Sequence, residues 1–152
     1  MDREHLLYEL QLYFQQTSKK YRLDLNQLFG NEMSFADFLF LRYINENGPI
    51  KPSDIAAFFR YSLSHVTSLA NRMINKGLIE RYRSEEDRRS IKLVVNENGQ
   101  KVLEQLMVIR KNYTEMMYKN LTDDEIKQMI RLYKKVNHLD LTHNDFTALE
   151  SI

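Results

Sequence analysis

PSDIAAFFRYSLSHVTSLANRMINKGLIERYRSEEDRRSIKLVV, residues Pro52 to Val95, reads as two short helices followed by two alternating strands. Pro52 suits the first turn of a helix over Ser53 to Phe59, where its missing amide hydrogen has no helical partner. Arg60-Tyr61 makes the turn, and Ser62 caps a second helix from about Leu63 to Lys76. Gly77 ends that helix where a left-handed residue is wanted. Residues 78–83 and 90–95 are branched, aromatic and alternating, and the six polar residues Ser84-Glu85-Glu86-Asp87-Arg88-Arg89 join them. Helix, turn, helix, hairpin is the order of a winged helix-turn-helix. The second helix opens with small hydrogen-bonding side chains, Ser64, His65, Thr67 and Ser68, beside the capping Ser62. Such groups fit a major groove and reach base edges. Arg88 and Arg89 at the hairpin tip suit phosphates or a narrow minor groove.

Outward from this segment the chain is helical. Leu6, Leu10, Tyr13, Phe14, Thr17, Tyr21, Leu25 and Leu28 recur at three- and four-residue intervals, predicting a long first helix ending near Gly30-Asn31. Ser34 caps the next, with Phe38, Leu41 and Ile44 inward, and Asn47-Gly48-Pro49 stops it. After the hairpin, Asn96 caps a helix to about Lys119, with Val102, Leu106, Ile109, Tyr113 and Met116 on one stripe. Thr122-Asp123-Asp124-Glu125 is a capping box for a last helix to about His138, expected to bury Ile126, Met129, Ile130, Tyr133 and Val136. The tail from about Leu139 is mixed and slightly acidic, a short helix or a frayed end.

The predicted class is therefore mainly α with a small β-hairpin wing. Residues 1–33 form an N-terminal dimerisation helix, 34–98 the winged helix-turn-helix, and 99–152 the C-terminal dimerisation helices and tail, in one intertwined domain. Apolar stripes at both ends of the chain can close on each other or on a second copy. A two-fold dimer doubles the contacts made on a symmetric duplex, which favours the second copy.

At 152 residues, 43% hydrophobic and 28% charged, the chain has the length and composition of a globular protein with a real core. No apolar run approaches the ~20 residues that span a bilayer, and Met1-Asp2-Arg3-Glu4-His5 lacks the order of a signal peptide, so a cytoplasmic protein is expected. Without cysteine there is no disulfide, thiolate zinc site or thiol switch. The net charge of +1 hides a local one: residues 72–92 hold seven Lys/Arg against four acids, a balance of +3 over a body of −2. One basic face can dock on DNA; from charge alone a solvated hairpin explains it equally well. Arg81 and Arg83 also read as edge-strand charges that discourage sheet pairing.

Enzyme chemistry finds no support. The four glycines form no phosphate-cradling loop, and neither a nucleophile elbow nor a catalytic carboxylate pair is evident. His5, His65, His138 and His143 are scattered, and His138, Asp140 and His143 form only a weak metal candidate, so no metal or cofactor is expected. The competing class is a winged-helix protein-interaction module without a DNA role, but that would present apolar residues where this helix presents hydroxyls and an imidazole.

Residues 66–81, VTSLANRMINKGLIER, with Glu86-Asp87-Arg88-Arg89-Ser90, resemble the MarR family of transcriptional regulators. The arginine in the recognition helix, the Lys-Gly-Leu-Ile exit, the D-x-R tip and the Asn-Glu-x-Gly start of the next helix come in the family's order, over roughly residues 4–138. The resemblance implies a homodimer with intertwined terminal helices, two wings reading a pseudo-palindromic operator, repression, and release of DNA by a small aromatic ligand. It places Ser64, His65, Thr67 and Ser68 at the major groove, Arg72 near a phosphate or the wing, and Arg89 in the minor groove. Asp87 would steer Arg72 or Arg89. It also suggests an effector pocket bordered by Tyr13, Phe14, Phe38 and Arg42. His65 and Leu63 depart from the commonest family residues, so the operator sequence does not transfer, and the absent cysteine excludes the peroxide-sensing branch.

Overall fold

The computed structural model of the protein describes residues 2–138 and 148–149. Its elements run α1 (Arg3–Phe29), α2 (Phe35–Asn47), α3 (Pro52–Phe59), α4 (Leu63–Asn75), β1 (Ile79–Arg83), β2 (Ile91–Val95), α5 (Glu97–Met117) and α6 (Asp123–Asn137). The chain divides into two compact units, Met1–Tyr113 and Thr114–Ile152.

Local chemistry accounts for most of the boundaries. Ser34 accepts the Asp37 amide while the Asp37 carboxylate accepts the Ser34 amide, a closed capping box at the head of α2. Thr122 and Glu125 repeat the device on α6. There the Thr122 amide and then its hydroxyl hold the Glu125 carboxyl below its ordinary pKa. Pro52 is the first residue of α3, and Ser62 caps α4 by accepting the His65 amide at 3.2 Å.

The core of the first unit lies where α2, α3, α4 and the base of the hairpin converge. Phe38, Phe40, Leu41, Ile44, Ile55, Val66 and Met73 have no exposed surface. Burying each such side chain is worth about 1.5–3 kcal/mol before entropy is charged. The strands pair antiparallel, Ile79 opposite Val95 and Arg83 opposite Ile91. Only Ile79 of β1 is buried, because the hairpin leaves the core after one residue and projects the rest. Ile50, which the strand pattern does not announce, joins the inner edge: its amide donates to the Leu93 carbonyl at 3.0 Å and the Leu93 amide returns to Ile50 at 2.8 Å.

A knot of amides locks α4, the hairpin and α5 together. Gly77 takes φ +72°, the left-handed conformation expected of it. Its carbonyl accepts Nδ2 of Asn96 at 2.9 Å and of Asn98 at 3.4 Å, while Asn96 Oδ1 accepts the Gly99 amide at 2.8 Å. A Cβ on Gly99 would stand 2.2 Å from the Leu78 carbonyl oxygen. The Asn-Glu-x-Gly start of α5 is thus a capping residue followed by the one residue type that lets the helix lie on the Leu78 backbone, just before β1.

The burial expected for α6 does not hold, and the apolar stripe of α1 lies largely open. Along α1, Leu25 is buried, but Leu6, Leu10, Tyr13, Phe14 and Leu28 are between 50% and 64% exposed. No residue of α6 is buried; Ile126 and Met129 are half-buried, and Ile130, Tyr133 and Val136 lie exposed. On α5, Leu103 joins Leu106 inside and Met116 is exposed. Periodicity reports that a helix face is apolar; it does not say that the same chain covers it.

Candidate nucleic-acid interface

α4 divides sharply into two faces. Val66, Leu69, Ala70 and Met73 are buried, so the helical period turns Ser64, His65, Thr67, Ser68 and Asn71 outward. Sharp entry to the helix depends on Arg60, which ends α3 at φ 55°, ψ 39°. That conformation costs a non-glycine residue roughly 1 kcal/mol. Ser64, Thr67, Ser68, Asn71, Arg72, Asn75 and Lys76 line a shallow groove along the exposed side.

The hydroxyls of this face are not equivalent. Thr67 donates its hydroxyl hydrogen to the Leu63 carbonyl at 2.9 Å, so towards solvent it shows lone pairs and a methyl group. It is thereby set to accept from an exocyclic base amine or to pack on a thymine methyl. Ser62 is occupied as the helix cap and lies 3.2 Å from the Ser64 hydroxyl.

Several cations of the basic segment have internal partners. Arg72 forms an ion pair with Asp37, whose side chain is 8% exposed against 50% for the arginine. Asp37 also accepts the Ser34 amide, so one buried carboxylate joins the α2 cap to the middle of α4. The sequence signal was present in Ser34-x-x-Asp37, an acid at the third position of a capping box, but nothing local pointed 35 residues onward to Arg72. Arg81 Nη2 donates to Asn71 Oδ1 at 2.5 Å, and Lys76 Nζ donates to the Glu32 carbonyl.

At the wing tip Asp87 accepts the backbone amide of Arg89 at 3.1 Å, the two-residue loop-back that aspartate makes in turns. Of the two arginines proposed for it, Asp87 meets Arg89, through the main chain, whereas Arg72 is held by Asp37. The side chains of Arg88 and Arg89 are exposed.

The suggested effector residues differ in access. Phe38 is wholly buried and offers a ligand no surface; Tyr13 and Phe14 are exposed, and Arg42 Nε donates to Glu46 at 2.7 Å. Beside Phe38, a half-buried polar cluster ties α1 to α5. Arg110 Nε donates to the Tyr21 hydroxyl at 2.9 Å, and the Tyr113 hydroxyl donates to Asp24 at 2.7 Å. Hydrogen bonds from Lys20 and then Tyr113 hold the Asp24 carboxyl below its ordinary pKa. Among the described residues no three His, Cys, Asp or Glu side chains gather as a metal site. The His138, Asp140 and His143 candidate falls largely outside those residues. No helix among the described residues is long and apolar enough to cross a membrane.

Comparison with known proteins agrees with this fold. The MarR family profile matches residues 33–91. The HTH-type transcriptional regulator YpoP of Bacillus subtilis is 30% identical over 135 residues, covering 89% of this chain and 96% of its own. The transcriptional repressor MprA of Escherichia coli is 28% identical over 108 residues, 70% of this chain and 61% of that protein. A crystal structure of mutant MarR from E. coli complexed with operator DNA superposes with a TM-score of 0.74 at 24% identity, covering 90% of this chain and 99% of that one.

Proposed function

This chain belongs to the MarR family of DNA-binding transcriptional regulators, and from that premise we propose that it is a ligand-responsive repressor binding a pseudo-palindromic operator as a homodimer. The observation that carries the reading is the division of α4: one face sealed in the core, the other a row of hydroxyls and an imidazole, with two exposed arginines at an Asp87-ordered tip. Ser64, His65, Thr67 and Ser68 read bases. Arg88 and Arg89 attach the wing. Arg72 and Asp87 act chiefly by holding α4 and the tip in shape, and Ser62 by capping the reading helix.

The exposed apolar side chains of α1 and of α6 support the dimer. Surfaces of this kind are covered by another chain more often than left in water. Two copies would set their α4 helices about 34 Å apart, one turn of B-DNA. Substituting Leu10 and Tyr13 with glutamate is expected to give a monomer by analytical ultracentrifugation and to weaken binding to a two-site duplex far more than to a half-site. Dimers that persist after this change would remove α1 from the interface.

Repression is supported by the likeness to MprA. Release follows if a small aromatic ligand prefers a spacing of the two reading helices unlike the DNA-bound one, lowering affinity by its differential binding. Small-angle scattering with and without an aromatic acid such as salicylate reads that change directly. For the DNA role itself, the decisive measurement is affinity for duplex against salt. A basic reading face loses affinity steeply as salt rises, and a flat dependence would return the chain to the protein-interaction class.

A further inference from the structure

The first base-facing side chains of α4 include His65, which is exposed and whose imidazole makes no hydrogen bond among the described residues. It is nonetheless held. The ring of Tyr61 meets it edge to face, centroids 4.6 Å apart and planes at 83°. Tyr61 is itself fixed from two sides: its amide donates to the Ala56 carbonyl at 3.0 Å, and its ring stacks on Phe59 with centroids 5.3 Å apart at 16°. Phe59 in turn packs against Phe40, which is fully buried. A line of rings therefore runs from the core to the front of the reading helix.

Building on the reading of His65 as a base contact, we infer that Tyr61 is a specificity-determining positioning residue, which selects the orientation in which the His65 imidazole meets the major groove. An exposed side chain at the start of a helix has more than one open rotamer. Ordering it on the DNA costs affinity, and the alternative rotamers offer their hydrogen bonds to other bases. An edge-to-face contact favours one rotamer before DNA arrives, so the discrimination belongs to the pair Tyr61–His65 and not to His65 alone. Tyr61 needs no contact with DNA for this.

The test uses the full chain and a randomised duplex library, followed by titration of the selected duplex and its single-base variants. His65→Ala identifies the base pair that the imidazole reads. Tyr61→Leu is expected to lower discrimination at that same base pair by about two- to tenfold, the worth of an aromatic pair. Preference at other positions and affinity for random duplex should stay as they were, and Tyr61→Phe, which keeps the ring, should behave as the unmodified protein. Proton NMR of the unmodified chain should show cross-relaxation between the two rings. If His65→Ala relaxes a base pair and Tyr61→Leu does not, Tyr61 has no such role while the DNA reading stands. A uniform loss at every position, failure of the phenylalanine variant, or absence of cross-relaxation also overturns the inference. A chain whose His65→Ala variant keeps every preference would overturn the base-reading assignment of His65 as well.

Discussion

Replacing Arg72 with alanine leaves the Asp37 carboxylate with the Ser34 amide as its remaining hydrogen-bond partner in a site where the side chain is 8% exposed. The cost lies between two limits. An ion pair open to water on both sides contributes about 0–1 kcal/mol, and breaking a wholly buried pair costs about 3–5 kcal/mol. Here the carboxylate is buried and the guanidinium is 50% exposed, so we expect Arg72→Ala to destabilise by roughly 2 kcal/mol, an intermediate share of the buried-pair cost. Asp37→Ala is different. It releases Arg72 to water at little expense and loses mainly the reciprocal half of the α2 cap, about 1 kcal/mol. With both removed no charge is stranded, so the double variant should fall short of the sum of the singles by about 1.5 kcal/mol. Urea unfolding followed by circular dichroism at one fixed chain concentration measures all three, because a dimer's stability shifts with concentration. Additivity within about 0.3 kcal/mol would refute the coupling and with it the claim that Asp37 anchors the reading helix. The same variants address DNA. If the guanidinium is spent on Asp37, Arg72→Ala leaves the slope of log affinity against log salt unchanged; a phosphate contact would lower it by about one.

Other outcomes follow from the same geometry. Gly99→Ala drives a methyl group to 2.2 Å from the Leu78 carbonyl oxygen, a backbone atom that cannot swing aside; a loss of at least about 2 kcal/mol is expected from overpacking of this kind, and an unchanged melting temperature would contradict the close approach. Arg89→Ala should weaken binding to all duplexes alike and reduce the salt slope by about 0.9, whereas Ser64→Ala should change which duplexes are preferred, both read by competition titration. Asp24, held below the ordinary carboxylate range by Lys20 and Tyr113, contributes stability that is complete above its unfolded pKa and disappears as pH falls through its lower folded value. Asp24→Asn should therefore flatten the acid limb of the stability curve and leave it parallel to the original above neutrality; an unaltered acid limb would deny the linkage.

Helix ends and the winged helix-turn-helix order were legible in the chain because both are local. Ser34, Ser62 and Thr122 satisfy amides within their own first turn, Gly77 supplies a backbone conformation that its neighbours cannot, and alternation over 78–83 and 90–95 needs only the strand period. The sorting of α4 into an inner apolar and an outer polar face is equally a matter of spacing. What tertiary structure alone decided is who meets whom. Arg72 finds Asp37, Ile50 finds Leu93, and Phe38 disappears into the core while Phe14, with the same chemistry, stays outside. Periodicity ranks the faces of a helix by polarity, but partners are set by the positions of backbones distant in sequence, and no single segment carries that information.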